Sequence, residues 1–289
     1  MKRLCVLGSL HLDVIVNADN LPQIDETIVG SKVNYIFGGK GGNQALAADS
    51  LGANVYFIGR IGNDSFGQTL SATLRNSSID TSQLQQDEGS SGMSVAIINR
   101  QGDYGAVIVS ESNLRIDKTN FLISNDTGIL LLQNEVPDEV NLSASRKAIK
   151  EGVQVWLNAA PARKVSTELL KNLDLIIVNR PEARFYKDFL GSDDSSHIIK
   201  IFTLGAKGLD VHFPNEQPQH HDAYSIEAKS AHGAGDTFVG ALAAQYLKNN
   251  NFSDSLNYAQ AAAAIKVSRN VNERAPVNEN DVFKFLKRR

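Results

Sequence analysis

The chain of 289 residues is 42% hydrophobic, 21% charged and 7% aromatic, with 29 basic residues against 32 acidic ones and a net charge of −3. That apolar fraction can offset the entropy of ordering the backbone, which excludes a disordered protein, and the charge balance lacks the basic surface a general nucleic-acid binder needs. Cys5 is the only cysteine, so an intramolecular disulfide or a Cys-based zinc cluster is excluded. Met1–Ser9 carries one short apolar run and then a glycine, neither a secretory signal nor a membrane span. A cytoplasmic protein is expected.

Short β-branched runs and longer helical patterns alternate along the chain. A strand over Arg3–Gly8 precedes a helix over Gly42–Leu51, and a strand over Val55–Ile61 precedes a helix over Phe66–Asn76. Gly128–Gln133, Val153–Asn158 and Leu173–Asn179 are strands followed by helices over Asp138–Glu151, Ser166–Asn172 and Pro181–Leu190. After a last strand over Ile201–Leu204 come helices over Gly235–Lys248, Ser253–Arg269 and Asn278–Lys287. Strands this short and apolar on both faces suit a parallel sheet covered on both sides, so the alternation predicts a doubly wound α/β fold. Leu12–Val16, Ser31–Phe37, Ser94–Ile98 and Ala106–Val109 break the rhythm: they alternate with period two and come in pairs without helices between them. They predict a small antiparallel sheet within residues of about 10–38 and 92–112, attached to a single domain over the whole chain. Its apolar face needs a cover, supplied by a substrate site beneath a lid, by a second copy of the chain, or by the edge of the main sheet.

Three glycine-dense stretches could hold a ligand. Gly38-Gly39-Lys40-Gly41-Gly42-Asn43-Gln44 opens a helix, yet has neither the Ser/Thr of a Walker A loop nor the third glycine of a dinucleotide fingerprint. Gly233-Ala234-Gly235-Asp236-Thr237-Phe238 opens another helix. An aspartate there is ordinarily a cap, but a bare turn beside a carboxylate also supplies amides for phosphate and a base for a hydroxyl. Thr203-Leu204-Gly205-Ala206-Lys207-Gly208 reads as a hairpin. Glu135 and the Asn179-Arg180-Pro181-Glu182 turn follow buried-type strands, and ligands of doubly wound sheets bind beyond the carboxyl ends of the strands. His220 and His221 lie on an extended segment and point to opposite faces, which makes them solvated side chains rather than a metal pair.

In this order, with Gly8-Ser9 and Asp13, Gly59-Arg60-Ile61-Gly62-Asn63-Asp64 and Asn158-Ala159-Ala160-Pro161-Ala162 among them, the motifs resemble those of the ribokinase-like (PfkB) carbohydrate kinases from about Leu4 to the C-terminus. The resemblance implies transfer of the γ-phosphoryl group of ATP, with Mg²⁺, to a sugar's primary hydroxyl, the substrate being a pentose such as ribose. Fructose, another ketose or a nucleoside is the alternative acceptor, and a sugar- or nucleotide-binding protein without catalysis is the remaining reading. It implies Asp236 as base and the Gly233, Ala234 and Gly235 turn as anion hole. Sugar contacts would fall to Asp13, His11, Gly39, Lys40, Gly41, Asn43, Glu135 and Asp236. Nucleotide contacts would fall to Asn179, Thr203, Gly205, Gly208, Gly233 and Gly235, with Asn179 and Glu182 placing the magnesium. No nucleic-acid or membrane partner is implied, and a homodimer through the lid is expected.

Three positions depart from the family pattern. His11 stands where the family usually has Asn. Ser230 replaces the Asp of potassium-activated relatives, and the later cation loop reads Asn270-Val271-Asn272-Glu273-Arg274-Ala275. The expected monovalent-cation site is therefore weakened or absent, with Lys229 or Arg274 supplying positive charge. The span between Asn179 and Thr203 is also shortened, which reduces one peripheral helix.

Overall fold

Successive side chains leave a strand by opposite faces, so strands apolar throughout must be covered on both sides. The computed structural model describes residues 2–230, 232–269 and 276–288. Its elements run β1 (Arg3–Leu7), β2 (His11–Ala18), β3 (Gly30–Gly38), α1 (Lys40–Ser50), β4 (Val55–Gly62), α2 (Ser65–Arg75), β5 (Leu84–Asp87), β6 (Met93–Ile98) and β7 (Tyr104–Val109). Then come β8 (Thr127–Gln133), α3 (Asp138–Lys150), β9 (Gln154–Asn158), α4 (Thr167–Lys171), β10 (Leu175–Asn179), α5 (Arg180–Phe185), α6 (Lys187–Leu190) and β11 (Ile199–Thr203). The chain closes with β12 (Leu209–His212), β13 (Gln219–His221), α7 (Ala234–Asn249), α8 (Phe252–Ser268) and α9 (Glu279–Leu286).

The large sheet has the order β13-β12-β11-β10-β9-β8-β1-β4-β5, parallel from β5 through β11 and antiparallel at β12 and β13. Alternation divides its core in two. Leu4 and Val6, Ile129 and Leu131, Leu175 and Ile177 face a cluster with α1, α2, α7, α8 and α9. Cys5 and Leu7, Leu130 and Leu132, Ile176 and Val178 face the other, with α3, α4 and α6. Each fully buried Leu, Ile or Val contributes about 1.5–3 kcal/mol. This is the doubly wound α/β fold the alternation predicts.

The smaller sheet has the order β3-β2-β6-β7: two antiparallel hairpins joined along a parallel β2–β6 seam. Two details differ from the sequence reading. β5 is a mostly polar strand, Leu-Gln-Gln-Asp, held by pairing with β4 and by Gln85, whose Nε2 donates to the carbonyls of Asp117 and Asn120. The helix expected over 181–190 breaks at Tyr186, whose hydroxyl donates to Arg163 O and accepts from Asn134 Nδ2.

The carboxyl ends of β1, β8, β9, β10 and β11 lie side by side and meet the N-termini of α1, α5 and α7. Gly240 makes this convergence possible: a Cβ there would lie 2.6 Å from Gln44 O and 2.9 Å from the Ala47 methyl, so α7 rests backbone to backbone on α1. Gly240→Val should lower the unfolding free energy by about 1–3 kcal/mol, the usual cost of overpacking, in denaturant titrations. Unchanged stability would mean the two helices are not in that contact.

Candidate active site

The cleft is built around the start of α7. Gly233 precedes the helix at φ 73°, a left-handed conformation that favours glycine, and no side chain caps the turn. The first N–H groups of an α-helix have no intrahelical acceptor, so Ala234, Gly235 and Asp236 present donors at the positive end of a 16-residue helix. A Cβ on Gly235 would meet nothing within 4 Å. Packing does not require that glycine, and its bare backbone lines the cleft.

Asp236 occupies the third helical position and does not fold back to cap the turn. Its Oδ1 instead accepts a hydrogen bond from Gln44 Nε2 at 2.9 Å. Burial pushes the Asp236 carboxyl above its ordinary range; Lys40 and the hydrogen bond from Gln44 draw it back, Glu135 raises it, and the side chain of Asn43 lowers it again. Lys40 also acts on Glu182, so a single ammonium serves both carboxylates.

Lys40, Asn179, Glu182, Thr203, Gly233, Gly235 and Asp236 line one cavity of about 310 Å³, together with Asn158, Ala160 and His232. Residues singled out in the sequence from four separate motifs thus share a wall. Asn179 and Glu182 form a capping box on α5: Glu182 N donates to Asn179 Oδ1 at 3.0 Å, and Asn179 N donates to Glu182 Oε2 at 2.8 Å. Both residues also line the cleft, where the Asn179 side chain interacts with the Glu182 carboxylate. A hard cation takes oxygen ligands, and among the described residues no group of three His, Cys, Asp or Glu could hold a metal. The pair fits a divalent ion that draws most of its ligands from water and phosphate, with Glu182 as the protein's oxygen.

The remaining residues lie beside this cavity rather than on it. Glu135 Oε2 accepts from Lys40 N at 2.8 Å and from Ser9 Oγ, tying the start of α1 to the ends of β1 and β8. That bond and the left-handed Gly39 (φ 88°) start α1 at Lys40, two residues before the expected Gly42. Gly39 and Gly41 are tight packing positions, where a Cβ would lie 2.7 Å from Ser9 O and from the Gly8 backbone respectively. Asp13 Oδ1 accepts from Ser94 Oγ at 2.5 Å, and a Cβ on Gly38 would strike Asp13 Oδ2. His11 is 3% exposed, and its Nε2 has no partner among the described residues. Gly205 (φ 64°) opens the turn after β11 with nothing near its Cβ position, whereas Gly208 (φ 83°) is confined by His221 O. His220 Nδ1 pairs with Asp210 at 2.6 Å on β12. A larger cavity of about 480 Å³ lies between β5 and residues 117–122. Its amides are occupied in joining that loop to β5: Gln83 exchanges hydrogen bonds with the Leu122 backbone, and Gln85 accepts from Asp117 N.

The model of the pfkB family carbohydrate kinases matches residues 1–273. The chain belongs to this family. Ribokinase of Haemophilus influenzae is 30% identical, the alignment covering 99% of this chain and 98% of that one. Among solved structures, ribokinase of Thermotoga maritima superposes with a TM-score of 0.90 at 27% identity, covering 99% of this chain and all of that one. Ribokinase of Arabidopsis thaliana, complexed with ribose and ATP, gives 0.88 at 25% identity, covering 99% of each chain. The protein is accordingly a carbohydrate kinase, a phosphotransferase acting on an alcohol.

Two buried glutamines behind the cleft wall, Gln44 and Gln133, are not singled out by the sequence. Gln44 was legible only as part of the glycine-rich motif, and Gln133 only as the end of a strand. The loop 270–275, on which the expectation about a monovalent cation partly rests, lies outside the described residues.

Burial raises the Glu182 carboxyl above its ordinary range despite the hydrogen bond from Asn179 and the charge of Lys40. Ionising it therefore costs the folded state more than the unfolded one, a penalty present above the folded pKa and absent below the unfolded one. Glu182→Gln keeps the cap acceptor and should raise Tm at neutral pH, the gain vanishing as the pH falls below the usual carboxylate range. A gain independent of pH would mean that burial of the charge is not its origin.

Proposed function

We propose that this kinase transfers the γ-phosphoryl group of ATP to the primary hydroxyl of a pentose such as ribose. The observation that carries the reading is Asp236 seated on the uncapped first turn of α7, which puts a proton acceptor and anion-binding amides on one backbone segment. In this reading Oδ2 of Asp236 takes the hydroxyl proton, the sugar oxygen bonds to the γ-phosphorus, and the bond to the β-phosphate oxygen breaks to release ADP. The N–H groups of Ala234, Gly235 and Asp236 hold the equatorial oxygens as charge develops on them. Asn179 and Glu182 would place Mg²⁺, which would supply charge neutralisation at the phosphates. The nucleotide lies toward Thr203, Gly205, Gly208 and the Gly233–Gly235 turn. Asp13, Gly39, Lys40, Gly41, Asn43 and Glu135 hold the sugar, and the buried His11 shapes that subsite. A cytoplasmic location accords with the single buried, unpaired Cys5.

The same cleft is proposed to work without potassium. Ser230 Oγ accepts from His232 N inside its own turn, and Lys229 or Arg274 would supply the positive charge in place of the cation, Arg274 lying outside the described residues. ADP release should be measured with pentoses, hexoses, ketoses and nucleosides, with and without potassium. Ribose should give the highest kcat/KM, with less than about twofold dependence on potassium, and Asp236→Asn should lower kcat by about 10²–10⁴, the contribution of a positioned base. A near-normal Asp236→Asn enzyme removes Asp236 as base, and strong potassium activation removes the fixed-charge idea.

The smaller sheet acts as a lid and dimer contact in this proposal, appended to a single domain that spans the chain. Val33 and Tyr35 on β3 and Val107 and Val109 on β7 are exposed on one face of this sheet, an apolar area that an isolated four-stranded sheet would cover on association. Sedimentation at rising protein concentration should show a dimer, weakened by Tyr35→Lys with Val107→Lys; a monomer at every concentration excludes this assembly.

A further inference from the structure

Asp236 is not the end of its hydrogen-bond chain. Gln44 Nε2 donates to Asp236 Oδ1 at 2.9 Å, Gln133 Nε2 donates to Gln44 Oε1 at 2.8 Å, and Asn141 Nδ2 donates to Gln133 O at 2.8 Å. Gln44, Gln133 and Asn141 are fully buried. The direction of the chain follows from its last member: an ionised carboxylate only accepts, so Gln44 must offer it the NH₂ group and turn its carbonyl to Gln133. Gln133 must then donate, and its own Oε1 has no partner among the described residues. A buried, unpartnered carbonyl is destabilising, and an apolar side chain of the same shape would avoid it. Keeping an amide at 133 is explained by the use of its N–H. Three elements are also stripped of side chains along the path. A Cβ on Gly8 would lie 2.0 Å from Gln133 Oε1, one on Gly41 would strike the Gly8 backbone, and one on Gly240 would strike Gln44 O.

We propose that Gln133 and Gln44 form a buried amide relay that holds Asp236 away from its own helix turn and fixes Oδ2 as the oxygen facing the substrate hydroxyl. The proposal rests on Asp236 being the base. Both glutamines are positioning residues, and Gln133 is not part of the cleft wall. The charged groups around Asp236 are Lys40 on α1 and Glu135 after β8, with Glu182 on α5 and His232 before α7 lining the same cavity.

The test is the pH profile of kcat and both KM values for Gln44→Met, Gln133→Met and Asp236→Asn, with Gln133→Glu added. Removing the donor raises the Asp236 pKa, so the acid limb of kcat should move to higher pH in Gln44→Met and, by a smaller step, in Gln133→Met. At neutral pH kcat should fall about tenfold to a hundredfold in Gln44→Met, part of what a positioned base supplies, with both KM values within about twofold of the parent. Gln133→Glu offers an acceptor in place of the donor, turns the Gln44 amide around and should move the limb further than Gln133→Met does. Folded Gln44→Met and Gln133→Met enzymes with the parental kcat and acid limb overturn the relay, as does a loss confined to KM with the limb unmoved. If Gln44→Met does not fold, Gln133→Met decides alone. An active Asp236→Asn enzyme removes the base and the relay with it, whereas an inactive one beside unaltered glutamine variants removes the relay alone.

Discussion

The first turn of α7 carries a conflict that the surrounding structure is arranged to settle. Its amides suit an anion only while nothing of the protein's own occupies them, yet an acidic residue sits in the same turn. A carboxylate at the third helical position is favourably placed to cap the helix and would then compete with phosphate for the donors. The hydrogen bond from Gln44 gives Asp236 another partner and leaves the turn bare. That bond requires α1 to lie against α7, which Gly240 permits, and against the end of β1, which Gly8 and Gly41 permit.

Charge explains the rest of the cleft. Asp236 and Glu182 are both disfavoured as ions by burial, with Lys40 as the shared counter-charge. In the proposed reading, a triphosphate entering alone would meet a wall already negative; accompanied by a divalent cation it would balance the carboxylates, while the dipole of α7 would act on the phosphate itself.

The parts of this arrangement visible in the sequence are those set by local rules. Unbroken apolar runs such as Leu4–Leu7 and Ile129–Leu132 specify strands covered on both faces, and Gly233 before a run of small residues specifies a bare helix start. What escaped the sequence depends on contacts far apart in the chain. β5 lacks an apolar pattern and is held by its neighbours, and Tyr186, where the helix is interrupted, has its hydroxyl bonded to the distant Arg163 and Asn134. Gln44 and Asp236 are 192 positions apart, so no spacing rule links the amide to the carboxylate.

Helix α1 then emerges as more than a cover for the sheet. Its first residue is fixed by Glu135, which also holds Ser9, while one turn later Gln44 reaches the start of α7. Gly39, Lys40 and Asn43, on the proposed sugar side, and Gln44, on the base side, belong to one rigid turn resting on glycine contacts that leave little room for sliding. A displacement of the sugar loop is therefore a displacement of the partner of Asp236. In the proposed mechanism, acceptor binding and base geometry are joined by the backbone of a single helix, without any separate element to carry the connection.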